Sequence, residues 1–391
     1  MLRIHLPGAL VLLAACAGTP EVAPAFATRD SAGISIVETG QALWDSVPGW
    51  TVDSVPFLSV GEEDGEDPYL LGYPAGAFLR GDGSVVIADG RNQELRVFDA
   101  NGRYLETKGR KGPGPAEFNR IERLARCGDD EIWIVAGRSR VAVWGVEVDY
   151  RREFTVINNI MWPLICFNGT GLLVKRDLNE IEEDRVNTIT VDSLHLMVVD
   201  SVGDTPHDLM DIPLWSRILV KTDRGGLELI HPFGRPTLLG QAGGNLIIGF
   251  ARQLEVGTYT KEGQLIRIAR GPAEDMTLSS AMLKEYAAAD LEGNDLQTRE
   301  GLAGGGNPMP DSIPAYIALE VDRDGNIWLQ RWHVPGSPDA RWGVFREDGR
   351  FLGHLTLPSG IRIHEIGRDY VLGTMMDSLY TQRVQAFRIR K

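Results

Sequence analysis

Short apolar stretches separated by turn signals extend along most of the chain, and the unit between residues 76 and 109 shows this pattern most clearly. Its strand-forming stretches occupy four segments, residues 77–79, 84–89, 94–99 and 104–108. Asp82-Gly83 and Asn101-Gly102 lie between stretches, and such dipeptides form tight turns whose twist matches that of neighbouring strands. The unit is therefore predicted to be a four-stranded antiparallel sheet.

The second strand of this unit recurs along the chain, each time with a turn containing Gly or Asp before it or at its start. The further copies occupy residues 131–134, 171–174, 245–248, 326–329 and 369–372. Four-stranded units at intervals of roughly 40 residues or more are typical of β-propellers. The chain is therefore predicted to be all-β, a six-bladed β-propeller of four-stranded antiparallel blades.

The two ends of the repeated region predict how the ring closes. The last unit stops after its third strand, residues 383–389, and an unassigned strand at residues 56–61 precedes the first unit. We expect this N-terminal strand to join the last blade beside the C-terminal strand, because an open array would leave an exposed edge. Residues 34–37 are expected to pack nearby.

A long insertion at residues 272–314 departs from the repeat, and its pattern predicts a short helix. The helix is expected to begin near residues 277–279 and to end near Gly293 or Gly301. Its apolar residues recur at helical spacing, at Met282, Leu283, Tyr286 and Leu291. One interpretation is a lid over the channel mouth. The favoured one is a helix packed on the flank of the ring, because apolar stripes usually mark packing.

The first residues predict export. A basic residue and a short apolar run precede Leu13-Ala14-Ala15-Cys16, an order that resembles the bacterial lipobox, in which the cysteine is acylated. An ordinary signal peptide cut near Ala15 or Ala17 is the alternative. The apolar run is too short to span a bilayer.

These features divide the chain into three regions. Residues 1–15 are predicted to be a signal peptide, and residues 16–29 a lipidated flexible tether, because this small, Pro-rich segment cannot bury enough apolar surface to fold. Residues 30–391 then form the propeller. The protein is expected in the cell envelope, anchored by its lipid, periplasmic or at the cell surface, with the outer membrane favoured.

Two segments of the first unit resemble an NHL-type repeat: residues 82–89 and residues 95–102. The whole chain is similar to a group of uncharacterised bacterial six-bladed propeller lipoproteins. That likeness rests on residues 29–34, 109–118 and 321–328. The resemblance implies the propeller fold and, for most NHL-type propellers, binding of proteins or other ligands. Relatives of the architecture include lactonases and lyases, so fold alone does not select an activity.

Composition and motifs narrow the chemistry. With 54 acidic and 40 basic residues the net charge is −14, which argues against nucleic acid as a partner. The chain has neither a Gly-x-Ser-x-Gly nor a His-Glu-x-x-His motif, and no catalytic residue, metal ligand or cofactor is predicted. Ca²⁺ belongs only to the alternative of a metal-dependent lactonase-like hydrolase or lyase that uses the central channel. A disulfide between Cys127 and Cys166 is left open.

Arginine recurs at or just after the second strand in five units, at Arg91, Arg138, Arg176, Arg252 and Arg331. A crossing loop on the same face carries further cations, Arg110, Lys111 and Arg120. One hypothesis is a ring of guanidinium groups that recognises an anionic ligand at the channel mouth. The favoured alternative pairs each arginine with neighbouring acidic side chains or carbonyls. Trp332 and His333, beside Arg331, fit a binding surface or a cover over the core.

The function predicted from the sequence is a non-catalytic, membrane-tethered, extracytoplasmic binding or protein-interaction module. Its partners would be the membrane, through the lipid on Cys16, and either an unknown protein or an anionic small molecule. The candidate ligand-binding residues are Arg91, Arg110, Arg138, Arg252, Arg331, Trp332 and His333.

Overall fold

The protein is an all-β propeller with one α-helix, as shown by a computed structural model. The structure describes residues 25–391 except 138, 157–164, 168–169, 177–188, 201–206, 223–224, 290–308, 336 and 338–339. The predicted signal peptide and Cys16 therefore lie outside the described residues. Within these, no helix is long and apolar enough to cross a membrane.

Four strands precede the repeated units. They are β1 (Phe26–Ser31), β2 (Ile34–Thr39), β3 (Thr51–Val52) and β4 (Leu58–Val60). Two short 3₁₀ turns, Leu43–Asp45 and Asp67–Tyr69, lie in the connections. The end of the predicted tether, from Phe26 onward, already belongs to β1.

The first half of the repeated region forms three sheets. Sheet A contains β5 (Pro74–Leu79), β6 (Val85–Asp89), β7 (Glu94–Phe98) and β8 (Tyr104–Lys108). A two-stranded ladder of β9 (Arg110–Lys111) and β10 (Glu117–Phe118) leads to sheet B, which contains β11 (Ile121–Cys127), β12 (Glu131–Ala136), β13 (Arg140–Gly145) and β14 (Tyr150–Thr155). Sheet C contains β15 (Ile165–Phe167), β16 (Thr170–Arg176), β17 (Ile189–Val199), β18 (His207–Thr222) and β19 (Gly225–Ile230).

The second half forms three more. Sheet D contains β20 (Leu238–Ala242), β21 (Asn245–Gly249), β22 (Glu255–Tyr259) and β23 (Leu265–Arg270), and helix α1 (Ser280–Ala288) follows it. Sheet E contains β24 (Tyr316–Val321), β25 (Ile327–Arg331), β26 (Arg341–Phe345) and β27 (Phe351–Thr356). Sheet F contains β28 (Arg362–Ile366), β29 (Tyr370–Met376) and β30 (Gln382–Arg390), together with β3 and β4.

The sheets are less uniform than the six equal blades predicted from the sequence. Sheets A, B, C, E and F are antiparallel with four or five strands, whereas sheet D has six strands and is mixed. The difference arises because β2 pairs in parallel with β23 and carries β1 on its outer side. Ile36 and Val37 are buried there. The segment 34–37 therefore lies on sheet D, and the expectation that it packs near the last unit was wrong.

The turns follow from short polar side chains. Asp82 accepts hydrogen bonds from the Ser84 backbone N–H at 2.9 Å and from the Ser84 hydroxyl at 2.6 Å. Gly83 between them has φ +86°, a left-handed conformation that favours glycine. Asp99 accepts in the same way from the N–H groups of Asn101 and Arg103. These contacts explain why Asp-Gly and Asn-Gly predicted strand boundaries correctly.

The N-terminal strand β4 pairs antiparallel with β30, so the pairing predicted for residues 56–61 is present over residues 58–60. Val60 lies opposite Val384 and Leu58 opposite Ala386, and all four are buried. Leu58 and Val60 also belong to an apolar cluster that contains Ile87 of β6. Strand β4 therefore links the last sheet to the core of the first.

Apolar clusters join each sheet to its neighbours in the order A–B, B–C, C–D, D–E, E–F and F–A. The B–C cluster includes Cys127 and Cys166, which form a disulfide with their Cα atoms 5.1 Å apart. This bond ties the end of β11 to β15, and it settles the pairing that the sequence left open.

The insertion forms α1 with the predicted start and an earlier end. The Ser279 hydroxyl accepts from the Met282 N–H at 3.2 Å and caps the helix. Tyr286 is buried against Phe233 and Ile313, with Trp332 beside them. The apolar stripe therefore serves packing, as favoured from the sequence. Helix α1 ends at Ala288, and the predicted end points lie outside the described residues.

Candidate functional site

The first strands of all six sheets line one central channel of about 670 Å³. They are β5, β11, β15, β20, β24 and β28. The volume is within the range of small-molecule sites, which is roughly 300–1,000 Å³. The channel is therefore a concave site of a size that suits a small molecule, and each sheet contributes to its wall.

Glycines let the inner strands approach one another around the channel. A Cβ atom on Gly76 of β5 would lie 2.8 Å from the Cβ atom of Leu124 on β11. A Cβ atom on Gly240 of β20 would lie 2.5 Å from Cδ2 of Leu319 on β24. At Gly76 the contact is with another Cβ atom, so glycine is required there, whereas at Gly240 the Leu319 side chain would have to shift to admit a Cβ atom.

Four ionisable side chains give the channel its electrostatic character. Arg123 comes from β11, Glu320 from β24, and Arg362 and His364 from β28. Sheets B and E share no core cluster in the described structure, so Arg123 and Glu320 interact across the channel. Arg123 lines the channel, and the surrounding protein solvates its charge less well than bulk water would.

Burial changes the titration of these groups. It raises the pKa of Glu320 to about 7, although the Arg123 charge acts to lower that pKa. It lowers the pKa of Arg123 to about 10, while the Glu320 charge acts to raise it. Arg123 is therefore cationic at neutral pH, whereas Glu320 is only partly ionised there.

His364 stays neutral in the channel wall. Burial, followed by the charges of Arg362 and Arg123, lowers its pKa to about 3. Its Nε2 atom lies 2.7 Å from the hydroxyl oxygen of Thr374 on the next strand. His364 therefore contributes a polar imidazole without a positive charge at neutral pH.

Arg362 is fixed at the start of β28. Its Nη2 donates to the Pro74 carbonyl oxygen at 2.5 Å, and its guanidinium carbon lies 5.0 Å from the centroid of the Tyr73 ring. Both contacts lead to the start of β5, on the neighbouring sheet A. The guanidinium is thereby positioned at one end of the channel wall.

Arg126, the third arginine of the wall, is neutralised locally. Its Nε donates to Glu365 at 3.2 Å and its Nη2 donates to the Leu79 carbonyl oxygen at 3.0 Å. Glu365 also accepts from the Leu79 N–H at 3.0 Å and from the Tyr370 hydroxyl at 2.8 Å. The network joins sheets A, B and F, and its role is structural.

The predicted arginine ring lies away from the channel wall in the described structure. Arg110 is 80% exposed and pairs with Glu117 at 2.7 Å, and Arg120 pairs with Glu122 at 3.2 Å. Three further candidates are exposed on loops or on β9, namely Arg91, Arg252 and Lys111. Arg138 and the side chain of Arg176 lie outside the described residues.

Arg331 and its neighbours do come together, as a packed cluster. Arg331 forms an ion pair with Glu274 at the start of the insertion. Trp332 lies 5.6 Å from Phe233 between ring centroids. The His333 Nδ1 atom lies 3.1 Å from the Arg331 carbonyl oxygen. These contacts tie the insertion to β25, which agrees with the favoured structural interpretation of this arginine.

Sequence reasoning missed Arg123, Glu320 and Arg362 because it searched the loops after the second strand. The sequence did contain a signal that could have found them. Each of the three is a charged residue in the first strand of its unit, which is the strand that lines the narrow channel. Among the described residues, no group of three or more His, Cys, Asp or Glu side chains is placed to hold a metal ion.

No protein-family model matches the chain, and neither does any curated protein. Solved structures are similar to it. A member of the DUF4221 family from Bacteroides vulgatus has a TM-score of 0.50 and 10% identity over 88% of this chain and 99% of that one. A Bacteroides fragilis protein described as exported has a TM-score of 0.49 and 13% identity over 91% and 99%. Virginiamycin B lyase from Staphylococcus aureus has a TM-score of 0.38 and 10% identity over 88% and 100%. At such identities the likeness concerns the fold alone.

Replacement of Glu320 by Gln should change how stability depends on pH. Glu320 has a folded-state pKa of about 7 against an ordinary 4.5, so between these values the folded protein binds more protons than the unfolded chain. The free energy of unfolding of the wild type should therefore fall by about 2 kcal/mol, relative to Glu320→Gln, as the pH rises from about 5 to about 8.

Urea unfolding at a series of pH values measures this difference. Glu147→Gln, which removes an exposed carboxylate, serves as the control and should follow the wild type. Parallel pH profiles for the wild type and Glu320→Gln would contradict the assignment.

Proposed function

We propose that the protein is a membrane-tethered, extracytoplasmic binding module that holds a small molecule in its central channel. The observation that carries this proposal is the channel of about 670 Å³ lined by an inner strand from every sheet. Apolar side chains, among them Leu124, Leu319 and Ile363, alternate there with a few charged groups. Such a wall buries the body of a ligand and orients its polar groups.

We further infer that sheets A to F are the six blades of a closed ring. Core clusters between all successive sheets, including F and A, support this arrangement. The antiparallel pairing of β4 with β30 supports closure, because it completes the last sheet with a strand from the other end of the chain. A closed ring holds the inner strands at fixed positions, and binding to a fixed site requires little reorganisation.

Attachment to a membrane rests on the N-terminal sequence. Leu13-Ala14-Ala15-Cys16 follows an apolar run, and a diacylated cysteine with further acylation anchors a protein stably. We propose that Cys16 carries this lipid and that the channel faces an extracytoplasmic compartment.

Filling the channel should abolish ligand binding. Ala125 of β11 and Ala318 of β24 line the channel, and a Trp at either position would occupy much of it. Ala27→Trp, on the exposed face of β1, introduces the same side chain elsewhere. Each full-length protein would be purified from membranes, and the small molecules released on denaturation would be analysed by mass spectrometry.

The expected result is a molecule that is released by the wild type and by Ala27→Trp but not by either channel variant. Circular dichroism and melting temperature would confirm that the variants are folded. Identical recovery from all four proteins, or recovery of nothing from any of them, would contradict the proposed function.

Loss of the N-terminal strands should open the ring. Deletion of residues 30–61 removes β4, and we expect it to abolish the cooperative unfolding transition because β30 and the F–A core lose their partner. In a milder comparison, Val60→Ala should lower the free energy of unfolding by about 2 kcal/mol, whereas Val55→Ala at an exposed position should have little effect. Unchanged thermal melting of the deletion variant would argue against closure.

Lipidation is tested by labelling cells with radioactive palmitate. The wild type should incorporate label and remain in the membrane fraction, because acyl chains anchor it. The Cys16→Ala variant should incorporate none. Equal labelling of the two proteins, or an unlabelled wild type, would rule out an acylated Cys16.

A further inference from the structure

The cavity wall continues outwards along one face of sheet E. Its lining includes Ala318 of the inner strand β24, Gln330 of β25 and Trp342 of β26. Among the described residues, no other sheet contributes its second or third strand to this wall. The central channel therefore has a lateral extension at sheet E, which runs from the inner strand towards the third strand.

The register of the sheet places these three side chains in one row. Ala318 lies opposite Gln330, and Gln330 lies opposite Trp342. Directly opposite residues share a face of the sheet, with their Cβ atoms about 5 Å apart. Ala318 and Trp342 belong to the E–F core cluster together with Ile363 of β28, so this face looks towards sheet F. Because Ala318 ends in a single methyl group, it leaves the Gln330 side chain accessible from the channel.

Trp342 has an indole N–H group without an acceptor in the described part of the chain. The indole N–H groups of Trp133 and Trp328 donate to carboxylates at 3.1 Å, and that of Trp144 is sealed in the A–B core without a partner. Only 3% of Trp342 is exposed, yet its Nε1 atom is not sealed in this way, and the residue lines the cavity. The cavity is therefore the place from which an acceptor can reach this buried donor.

The Gln330 amide is the second polar group of the row. It is half-buried, and within the described structure it makes no hydrogen bond. An indole N–H only donates, whereas a glutamine amide both donates and accepts. Since both side chains project from the same face, one edge of a ligand must present an acceptor and a donor together. A cis-amide in a ring has its carbonyl oxygen and N–H on one edge, whereas an open-chain trans amide has them on opposite sides.

Glu320 favours an uncharged ligand group over an anionic one on this face. It lies two residues from Ala318 on β24, and the register is regular between them, so both side chains share the face of the row. Glu320 is partly ionised at neutral pH and repels a negative charge placed beside it. Neither Gln330 nor Trp342 carries a charge that would offset this repulsion.

We propose that the channel ligand is an uncharged ring with a cis-amide edge, whose carbonyl oxygen accepts from the Trp342 indole N–H and whose adjacent N–H donates to the side-chain oxygen of Gln330. Lactams, cyclic dipeptides and pyrimidine bases have such an edge. This inference rests on the proposed function and specifies the chemical class of the ligand. The ring lies over Ala318 and against Ile361 and Ile363, which line the same cavity.

An NMR titration of the full-length protein with isotope-labelled tryptophan tests this site. The probes are uracil and cyclic glycylglycine, and each is matched by its dimethylated form, which keeps the carbonyl groups and loses the N–H groups. The Trp342 indole signal, assigned through Trp342→Phe, should shift saturably with at least one unmethylated probe. The Trp144 signal, assigned through Trp144→Phe, should not move, because this indole is sealed in the A–B core.

Removal of the Gln330 amide should weaken the binding of the probe. Gln330→Met keeps the length of the side chain, and we expect about 5-fold weaker binding or more, because one hydrogen bond between neutral groups is lost. Methylation of the probe should weaken its binding to the wild type by a similar factor and should have little further effect in Gln330→Met. Gln264→Met, at an exposed turn, is the control and should bind as the wild type does.

Binding of either unmethylated probe, or of both, supports the site, and the preferred probe distinguishes a pyrimidine-type ring from a peptide-derived one. Equal binding of methylated and unmethylated probes, or binding that Gln330→Met leaves unchanged, would overturn the proposal. The absence of a saturable shift in the folded wild type at millimolar probe concentration would also overturn it. Gln330 is only half-buried, so its variant keeps the comparison valid even if Trp342→Phe does not fold.

The molecule recovered from the native protein provides a separate readout. A molecule without a cis-amide edge that is released by the wild type but not by the Ala125→Trp and Ala318→Trp variants would refute this ligand class and leave the proposed function intact. The two proposals are therefore tested separately.

Discussion

The burial of apolar side chains between neighbouring sheets determines where every inner strand lies. Trp133 on β12 and Trp328 on β25 are completely buried between sheets, and each indole N–H finds a carboxylate at 3.1 Å, Glu131 and Asp322 respectively. Satisfied polar atoms let such large side chains pack without an unpaired donor. Because these cores lie between the sheets, the centre of the molecule does not need an apolar core of its own. The channel can therefore carry charge.

Charge in a narrow channel still has consequences. The environment that makes Glu320 hard to ionise and His364 hard to protonate leaves Arg123 cationic, since an arginine pKa of about 10 is far above neutral. Desolvation thus disfavours the charged form of all three side chains, but at neutral pH it leaves Arg123 charged, His364 neutral and Glu320 partly ionised. The result is a cationic channel in an anionic protein. The sign of the charge in the channel follows from where the residues lie and not from the composition of the chain.

The sequence predicted the fold better than the site, and β-bulges explain much of the difference. Turn chemistry such as Asp82-Gly83 is local, so it can be recognised without knowing what the strands contact. The side that a residue faces depends on the register of its strand. In four inner strands this register shifts, between Ile121 and Arg123 in β11 and at similar places in β5, β24 and β28. A shift of one residue reverses the side of the sheet that the following side chains face. The two-residue period of a strand therefore could not predict that Arg123 and Arg362 lie on the channel wall.

The arginines near the insertion and those in the channel show what distinguishes a structural cation from a candidate binding group. Arg331 was a candidate because of its position after a second strand, yet Glu274 neutralises it and the pair holds the insertion in place. An arginine with a dedicated carboxylate is already satisfied, and a ligand would have to displace that partner. Arg123 and Arg362 differ in setting because they line the channel, where burial weakens the tendency of Glu320 to ionise. A channel wall with three arginines and two glutamates, one of them partly protonated at neutral pH, carries a net positive charge, whereas the pair of Arg331 and Glu274 carries none.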